Sequence, residues 1–324
     1  MQKIDLMLYL ISFLLGGTGA WLISRWGKAL GLLDMPNDRS SHSSVVPKGG
    51  GIGILAAFFV CSIAFSILKS FWIPSVFLSL FSLWGDHSEI RPKKRLLFQF
   101  AAGSILLIGI FMGKGSDFTA YALMPLLAIF VVGTANYYNF MDGINGIAGI
   151  TGLVGFGLLG WFAFAGDADP QIITLCVCMS FACLGFLPFN MFRARVFMGD
   201  VGSILLGFVF AGMVVYLSRN LLNFICMAGF LFPFYADELT TVIVRLKDGE
   251  KLSKPHRRHL YQILANEYGI PHWKVSLGYG LFQMLIGISV LWLKRAGITA
   301  VLLSIILYFC IFSIVSFILR NKVK

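Results

Sequence analysis

The chain has 324 residues, of which 58% are hydrophobic and only 13% charged, with a formal net charge of +11. Soluble domains carry about a quarter charged residues, so this composition excludes an ordinary soluble globule and predicts an all-α, polytopic membrane protein. A basic excess in such a protein collects in its cytoplasmic loops.

The first element, "MQKIDLMLYLISFLLGGTGAWLISRW", is long enough to cross a bilayer and reads as a retained helix rather than a cleaved signal peptide. Further apolar runs are centred on 50–68, 71–85, 96–112, 118–138, 147–165, 171–187, 202–218, 221–244, 275–293 and 298–319. With 5–24 they make about 10–11 transmembrane helices in one integral-membrane domain, 1–324. Loops after odd-numbered spans hold 20 of the Lys and Arg residues and the opposite loops hold 6. That asymmetry puts the odd loops in the cytoplasm and the N-terminus outside. Cys61, Cys176, Cys178, Cys183, Cys226 and Cys310 fall almost wholly in apolar runs and read as unpaired thiols, Cys176 and Cys178 included.

The polar motifs follow in the odd loops. The first holds "RSSHSSVVPKGGG", in which Arg39, His42 and Lys48 precede Gly49 to Gly51 at the mouth of the second span. Glycines entering a helix can offer backbone N–H groups and a positive dipole end to phosphate; a basic loop with a glycine hinge is the plainer alternative. In the second loop, "WGDHSEIRPKKRLLFQF", the basic run Arg91 to Arg95 reads as an anchor on anionic lipid. Asp86, an acid near membrane depth, is a functional candidate.

The third loop reads "NYYNFMDGING". Asn136, Asn139 and Asp142 recur at three-residue spacing, which stacks them on one helical face. Asp142-Gly143 and Asn145-Gly146 are also turn dipeptides, but a turn does not explain Asn136 or Asn139. In "VFMGDVGS", Asp200 opens the eighth span, where it can cap a helix or bind Mg²⁺, a cation that takes one or two carboxylates plus phosphate oxygens. The fifth loop carries "HRRHLYQ"; here His256 and His259 with Arg257 and Arg258 suit an anion better than zinc. A few carboxylates among many cations on one face is the inventory of Mg²⁺-assisted phosphate chemistry.

In that order, "RSSHSSVVPKGGG", "NYYNFMDGING", "VFMGDVGS" and "HRRHLYQ" resemble the polyprenyl-phosphate N-acetylhexosamine-1-phosphate transferases (glycosyltransferase family 4). That family includes the phospho-MurNAc-pentapeptide translocase, and the wording here is most similar to its O-antigen-initiating branch. The resemblance covers roughly residues 30 to 262. It implies transfer of a sugar-1-phosphate from a UDP-N-acetylhexosamine to undecaprenyl phosphate, with release of UMP. Mg²⁺ is implied, with Mn²⁺ as a substitute, and so is a bacterial inner-membrane location with the active site facing the cytoplasm. The expected partners are those two substrates and the lipid bilayer; no nucleic acid is expected, and homodimerisation is left open.

Carried onto this chain, the resemblance makes Asp86, Asp142 and Asp200 catalytic, with Asp200 and Asp142 at the metal. Asn139, like Asp142, contacts the nucleotide or metal with Asn190 assisting, and Asn136 counts among the substrate-binding residues. His256, Arg257 and His259 hold the diphosphate, and Arg39, His42 and Lys48 line the phosphate path. Asp237 stands where the family often has an aspartate. Two positions depart from the pattern: Gly85 replaces the first member of the usual Asp-Asp pair, and Asn145 replaces a frequent Asp. The first departure keeps open a catalytically impaired homologue that only binds lipid carrier or nucleotide sugar. A transporter is the other rival, but its polar groups would lie near the midplane.

Overall fold

A computed structural model describes residues 3–36, 40–88, 90–115, 121–251 and 256–323. Each apolar run of the sequence is helical there: α1 (Lys3–Trp26), α2 (Ile52–Ala64), α3 (Lys69–His87), α4 (Pro92–Lys114), α5 (Met124–Phe140), α6 (Ile147–Ala165), α7 (Pro170–Asn190) and α8 (Asp200–Leu217). The ninth run is bent. Its α9 (Leu221–Ala228) passes through a 3-10 turn at Gly229–Leu231 into α10 (Phe232–Lys247), with Pro233 at the break. A short α11 (Leu260–Asn266) precedes α12 (His272–Leu293) and α13 (Ile298–Asn321). The only pairing of strands among the described residues joins β1 (Leu33–Asp34) to β2 (Val46–Pro47), antiparallel.

Among the described residues, eight helices are long and apolar enough to cross a membrane, making this a multi-pass membrane protein. The other expected spans differ for local reasons. Helix α2 has only 13 residues, about 20 Å at 1.5 Å per residue, and is preceded by the glycine run. Helix α5 has 17 residues, and α3 carries Ser70, Ser75, Ser79 and Ser82 along its length.

Helix α8 is the hub: every residue from Val201 to Val215 is buried. Small residues let neighbours reach it, as at Gly207, where a Cβ would stand 2.7 Å from the Ala135 Cα of α5. Close backbone approach matters here because lipid tails give no hydrophobic drive to helix association. The same device joins α1 to α7. A Cβ on Gly16 would lie 2.0 Å from the Ala182 carbonyl oxygen, and one on Gly185 equally close to that of Phe13. All the motif-bearing loops emerge at one end of this bundle.

Gly16→Ala therefore tests the packing by its sign. On a free helix face alanine stabilises by about 1 kcal/mol. Here it should destabilise by about 1–3 kcal/mol, read as a lower thermal unfolding midpoint in detergent.

Candidate functional site

The site is built where α8 begins. Gly199 has φ +72, and a Cβ there would come within 2.7 Å of the Gly49 nitrogen and 3.0 Å of an Asp86 carboxylate oxygen. Only glycine lets the two backbones meet. The next residue, Asp200, donates its backbone N–H to Asp86 Oδ2 at 3.0 Å. The other Asp86 oxygen is 3.4 Å from the ammonium of Lys48. The Asp86 side chain, at the end of α3, is 8% exposed. Burial first, then the charge of Asp200, push its carboxyl pKa up to about 6, and Lys48 and the Asp200 amide offset only part of that cost.

The Asp200 carboxylate is held on both sides. Oδ1 accepts from Asn139 Nδ2 at 2.7 Å, and Oδ2 from the Arg95 guanidinium at 2.6 Å. The same Asn139 nitrogen is 2.9 Å from the Ser203 hydroxyl, one turn into α8. Arg95, taken with its neighbours as a lipid anchor, instead turns inward in the first turns of α4. Its partner lies 105 residues away, so nothing in the local sequence marks Arg95 out from Lys93 and Lys94.

Asp142 sits in the loop beyond α5. Desolvation first, then the charges of Asp200, Asp86 and Asp34, push its carboxyl well above the usual carboxylate range. The loop itself is fixed from several sides. Asn145 donates its N–H to His272 Nδ1 (3.3 Å) and accepts from the Ser276 hydroxyl (2.7 Å), and Gly146 donates its N–H to Asn190 Oδ1 (2.7 Å). Gly146, at φ +85, also makes the turn that its dipeptide predicts. "DGING" is thus a turn, and its Asp142 is on the cavity lining.

Asp86, Asn139, Asp142, Asn190 and Asp200 line one open cavity of about 470 Å³, together with Asp34, His42, Lys48 and Gln262. His42 stands between two acceptors, with Nε2 3.0 Å from Asp34 Oδ2 and Nδ1 2.8 Å from the Ser44 carbonyl oxygen. Asp34 was missed from sequence because its role appears only when the β1–β2 pairing folds the first loop back. Arg39 lies outside the described residues.

Other expected residues go elsewhere. The N–H groups of Gly49 and Gly50 are bonded to the Phe197 carbonyl, and that of Gly51 to Met198. The glycine run is thus a close-packing device, with a Cβ on Gly51 only 2.4 Å from the Gly202 Cα, and not an open phosphate cradle. Asn136 pairs its amide with that of Gln99, Nδ2 to Oε1 at 2.7 Å, tying α5 to α4 one turn from Asn139. Gly85 needs no glycine: a Cβ would meet Ile90 at 3.4 Å, an ordinary contact, so sterics do not account for the missing acid.

The fifth loop holds a separate polar knot, and Gln262 is its residue on the cavity lining. Asp237, wholly buried, accepts from the N–H groups of Leu260 (2.7 Å) and Tyr261 (3.2 Å) and from the Tyr279 hydroxyl (2.7 Å). It therefore caps α11, and Tyr261 in turn donates its hydroxyl to the Phe140 carbonyl at 3.0 Å, just before the Asp142 loop. His259 is buried against Asp237 and Glu238. Burial pushes the imidazole pKa of His259 down to about 4, and burial, then the neighbouring His259, does the same to His256. Both rings are neutral near pH 7, unlike the cationic cluster expected. Arg257 is about half exposed, 3.9 Å from Glu267.

The chain's residues 68–218 match the model of glycosyl transferase family 4. It is 23% identical over 296 residues to a probable undecaprenyl-phosphate N-acetylglucosaminyl 1-phosphate transferase of Bacillus subtilis, covering 86% of this chain and 81% of that relative. An undecaprenyl-phosphate alpha-N-acetylglucosaminyl 1-phosphate transferase of Thermotoga maritima is 25% identical over 272 residues (83% and 85%). A phospho-N-acetylmuramoyl-pentapeptide-transferase of Staphylococcus saprophyticus is 38% identical, but over 123 residues, 35% of this chain and 36% of that relative.

Asp237→Ala would strip two backbone N–H groups of their acceptor and leave buried Arg320, 3.6 Å away, without its counter-charge. The expected loss is about 3–5 kcal/mol in thermal or denaturant unfolding. Wild-type stability in that variant would contradict a structural role for Asp237.

Proposed function

We propose that this homologue of the family 4 glycosyl transferases moves a sugar-1-phosphate from a UDP-N-acetylhexosamine to undecaprenyl phosphate, releasing UMP. The observation that carries the reading is the convergence of Asp86, Asp142, Asp200 and Asn139 with Lys48 and Arg95 around the start of α8. The cavity lies at the end of the bundle whose loops hold 20 of the 26 Lys and Arg residues, which supports a cytoplasmic active site and an outer N-terminus. An O-antigen-like polymer is the product we assign to the pathway, on the sequence resemblance.

The donor chemistry fits Mg²⁺. Asp142 and Asp200 supply hard carboxylate oxygens on the wall of one cavity. Among the described residues no group of three His, Cys, Asp or Glu side chains forms a ready cage. That suits an ion held by one or two carboxylates and completed by water and substrate phosphate. When bound, Mg²⁺ would neutralise charge on the diphosphate.

The chain's own groups do the rest. Lys48, steered by Asp86, points its ammonium into the cavity to receive phosphate. Asn139 fixes Asp200, and Arg95 stands by to meet the charge of the diphosphate once it leaves Asp200. An oxygen of the lipid phosphate attacks the β-phosphorus of the nucleotide. The new O–P bond forms as the bond from the β-phosphorus to the bridging oxygen breaks, and its electron pair leaves with UMP. A phosphate monoester, with a second pKa of about 6, is already mostly dianionic near pH 7. No general base is obligatory, so Gly85 in place of an acid is compatible with turnover, with Asp86 orienting the acceptor.

Incubation with undecaprenyl phosphate, Mg²⁺ and a panel of UDP-sugars (GlcNAc, QuiNAc and FucNAc among them) tests the assignment through UMP release. Stabilisation by substrate without UMP would favour a binding-only homologue. Asp200→Asn should lower transfer by orders of magnitude while circular dichroism stays unchanged; near wild-type turnover would refute the site. Arg95→Met frees Asp200 Oδ2 from a competitor. The Mg²⁺ concentration for half-maximal thermal stabilisation should then fall by up to about fivefold, the range of a part-exposed ion pair. A higher Mg²⁺ requirement would mean that Arg95 supports the metal site.

A further inference from the structure

A second cavity, larger than the first, is far from the chemistry. It is a groove of about 1080 Å³ between α6 and α12, lined by apolar side chains and closed at one end by Lys294 and Arg295. Helix α12 starts beside Asn145 at the catalytic end, so these two cations mark the opposite end of the bundle.

The groove follows a tight helix seam. A Cβ on Gly280 would come within 2.3 Å of the Ile150 side chain, and one on Gly287 within 2.4 Å of Leu158. Beside this seam the lining runs along α6 from Leu153 to Ala165, about 18 Å at 1.5 Å per residue. A bilayer's hydrocarbon core is about 30 Å thick, so the groove matches the depth of one leaflet rather than the length of a partner helix.

Its end has the chemistry of a headgroup site. Trp161 and Trp292, both on the lining, are 62% and 70% exposed, as befits rings at the water–lipid boundary. The Lys294 ammonium lies 4.3 Å over the Phe162 ring, held at the mouth of the groove. Neither Lys294 nor Arg295 makes an ion pair among the described residues. This pair also stands out on a face that carries 6 Lys and Arg residues in all.

We infer that the α6–α12 groove is a binding site for an anionic phospholipid, its acyl chain along the groove and its phosphate on Lys294 and Arg295. The occupant sits in the leaflet opposite the catalytic cavity and is distinct from the acceptor lipid. Each cation near a membrane surface adds about fivefold to association with an anionic headgroup.

The test uses the full chain in phosphatidylcholine vesicles containing equal fractions of dibrominated phosphatidylglycerol or dibrominated phosphatidylcholine. Quenching that disappears in the Trp161→Phe/Trp292→Phe double variant reports the groove. It should be stronger with the phosphatidylglycerol, and that preference should fall about fivefold in each of Lys294→Gln and Arg295→Gln. Gly157→Leu, which fills the groove and leaves the cations in place, should reduce quenching by both lipids and keeps the test informative if the turn variants misfold. Equal quenching by the two lipids, or a preference that survives loss of both cations, would overturn the site. Disulfide cross-linking of two copies through Ile288→Cys would also overturn it, because a second copy would then occupy the groove.

Discussion

The polar end of the protein depends on one constraint: the buried central helix α8 has to begin at a point where four other segments meet it, the first loop, the end of α3, the start of α4 and the end of α5. Gly199 allows the meeting, and Asp86 accepts the N–H of Asp200 that the helix itself leaves without a partner. A carboxylate at such depth is costly unless charge and hydrogen bonds compensate it. Lys48 and the Asp200 amide do so in part for Asp86; Arg95 and Asn139 pair with both oxygens of Asp200. Two cations of the site, Lys48 and Arg95, are thus bound to its acids, and in the proposed reaction a diphosphate entering the cavity would exchange partners with groups already in position.

A second polar knot supports the first without joining it. Asp237 caps α11, α11 carries Tyr261, and Tyr261 packs beneath Gly143, where a Cβ would lie 2.2 Å from its hydroxyl. Through that ring the C-terminal helices fix the height of the Asp142 loop. Arg320 at the end of α13 and Tyr279 on α12 both reach Asp237. The histidine-rich motif is therefore largely built into the scaffold, with neutral rings, and Gln262 is its reach into the cavity.

Much of this was legible in sequence. Spacing put Asn139 and Asp142 on one face, loop parity put every motif at one end of the bundle, and a carboxylate opening a span marked Asp200. What escaped depended on long-range pairing. Nothing local distinguishes Arg95 from Lys93 and Lys94, since its partner lies 105 residues away. Asp34 acquires its role only when the first loop folds back. Of the two readings open for Gly49 to Gly51, the phosphate cradle fails because their amides are claimed by Phe197 and Met198, far along the chain. His256 and His259 looked cationic because burial, which decides their charge, leaves no trace in the motif.

The central claim is that the β-phosphorus of the nucleotide sugar moves with the sugar to the lipid. UDP-N-acetylglucosamine carrying ³²P at the β-phosphate, or whichever UDP-sugar proves to be the substrate, tests it most directly when given to the purified protein with undecaprenyl phosphate and Mg²⁺. The account predicts label in the lipid-linked diphosphate and unlabelled UMP in solution. Label leaving as UDP, with an unlabelled sugar on the lipid, would contradict attack at phosphorus and the reading of this site.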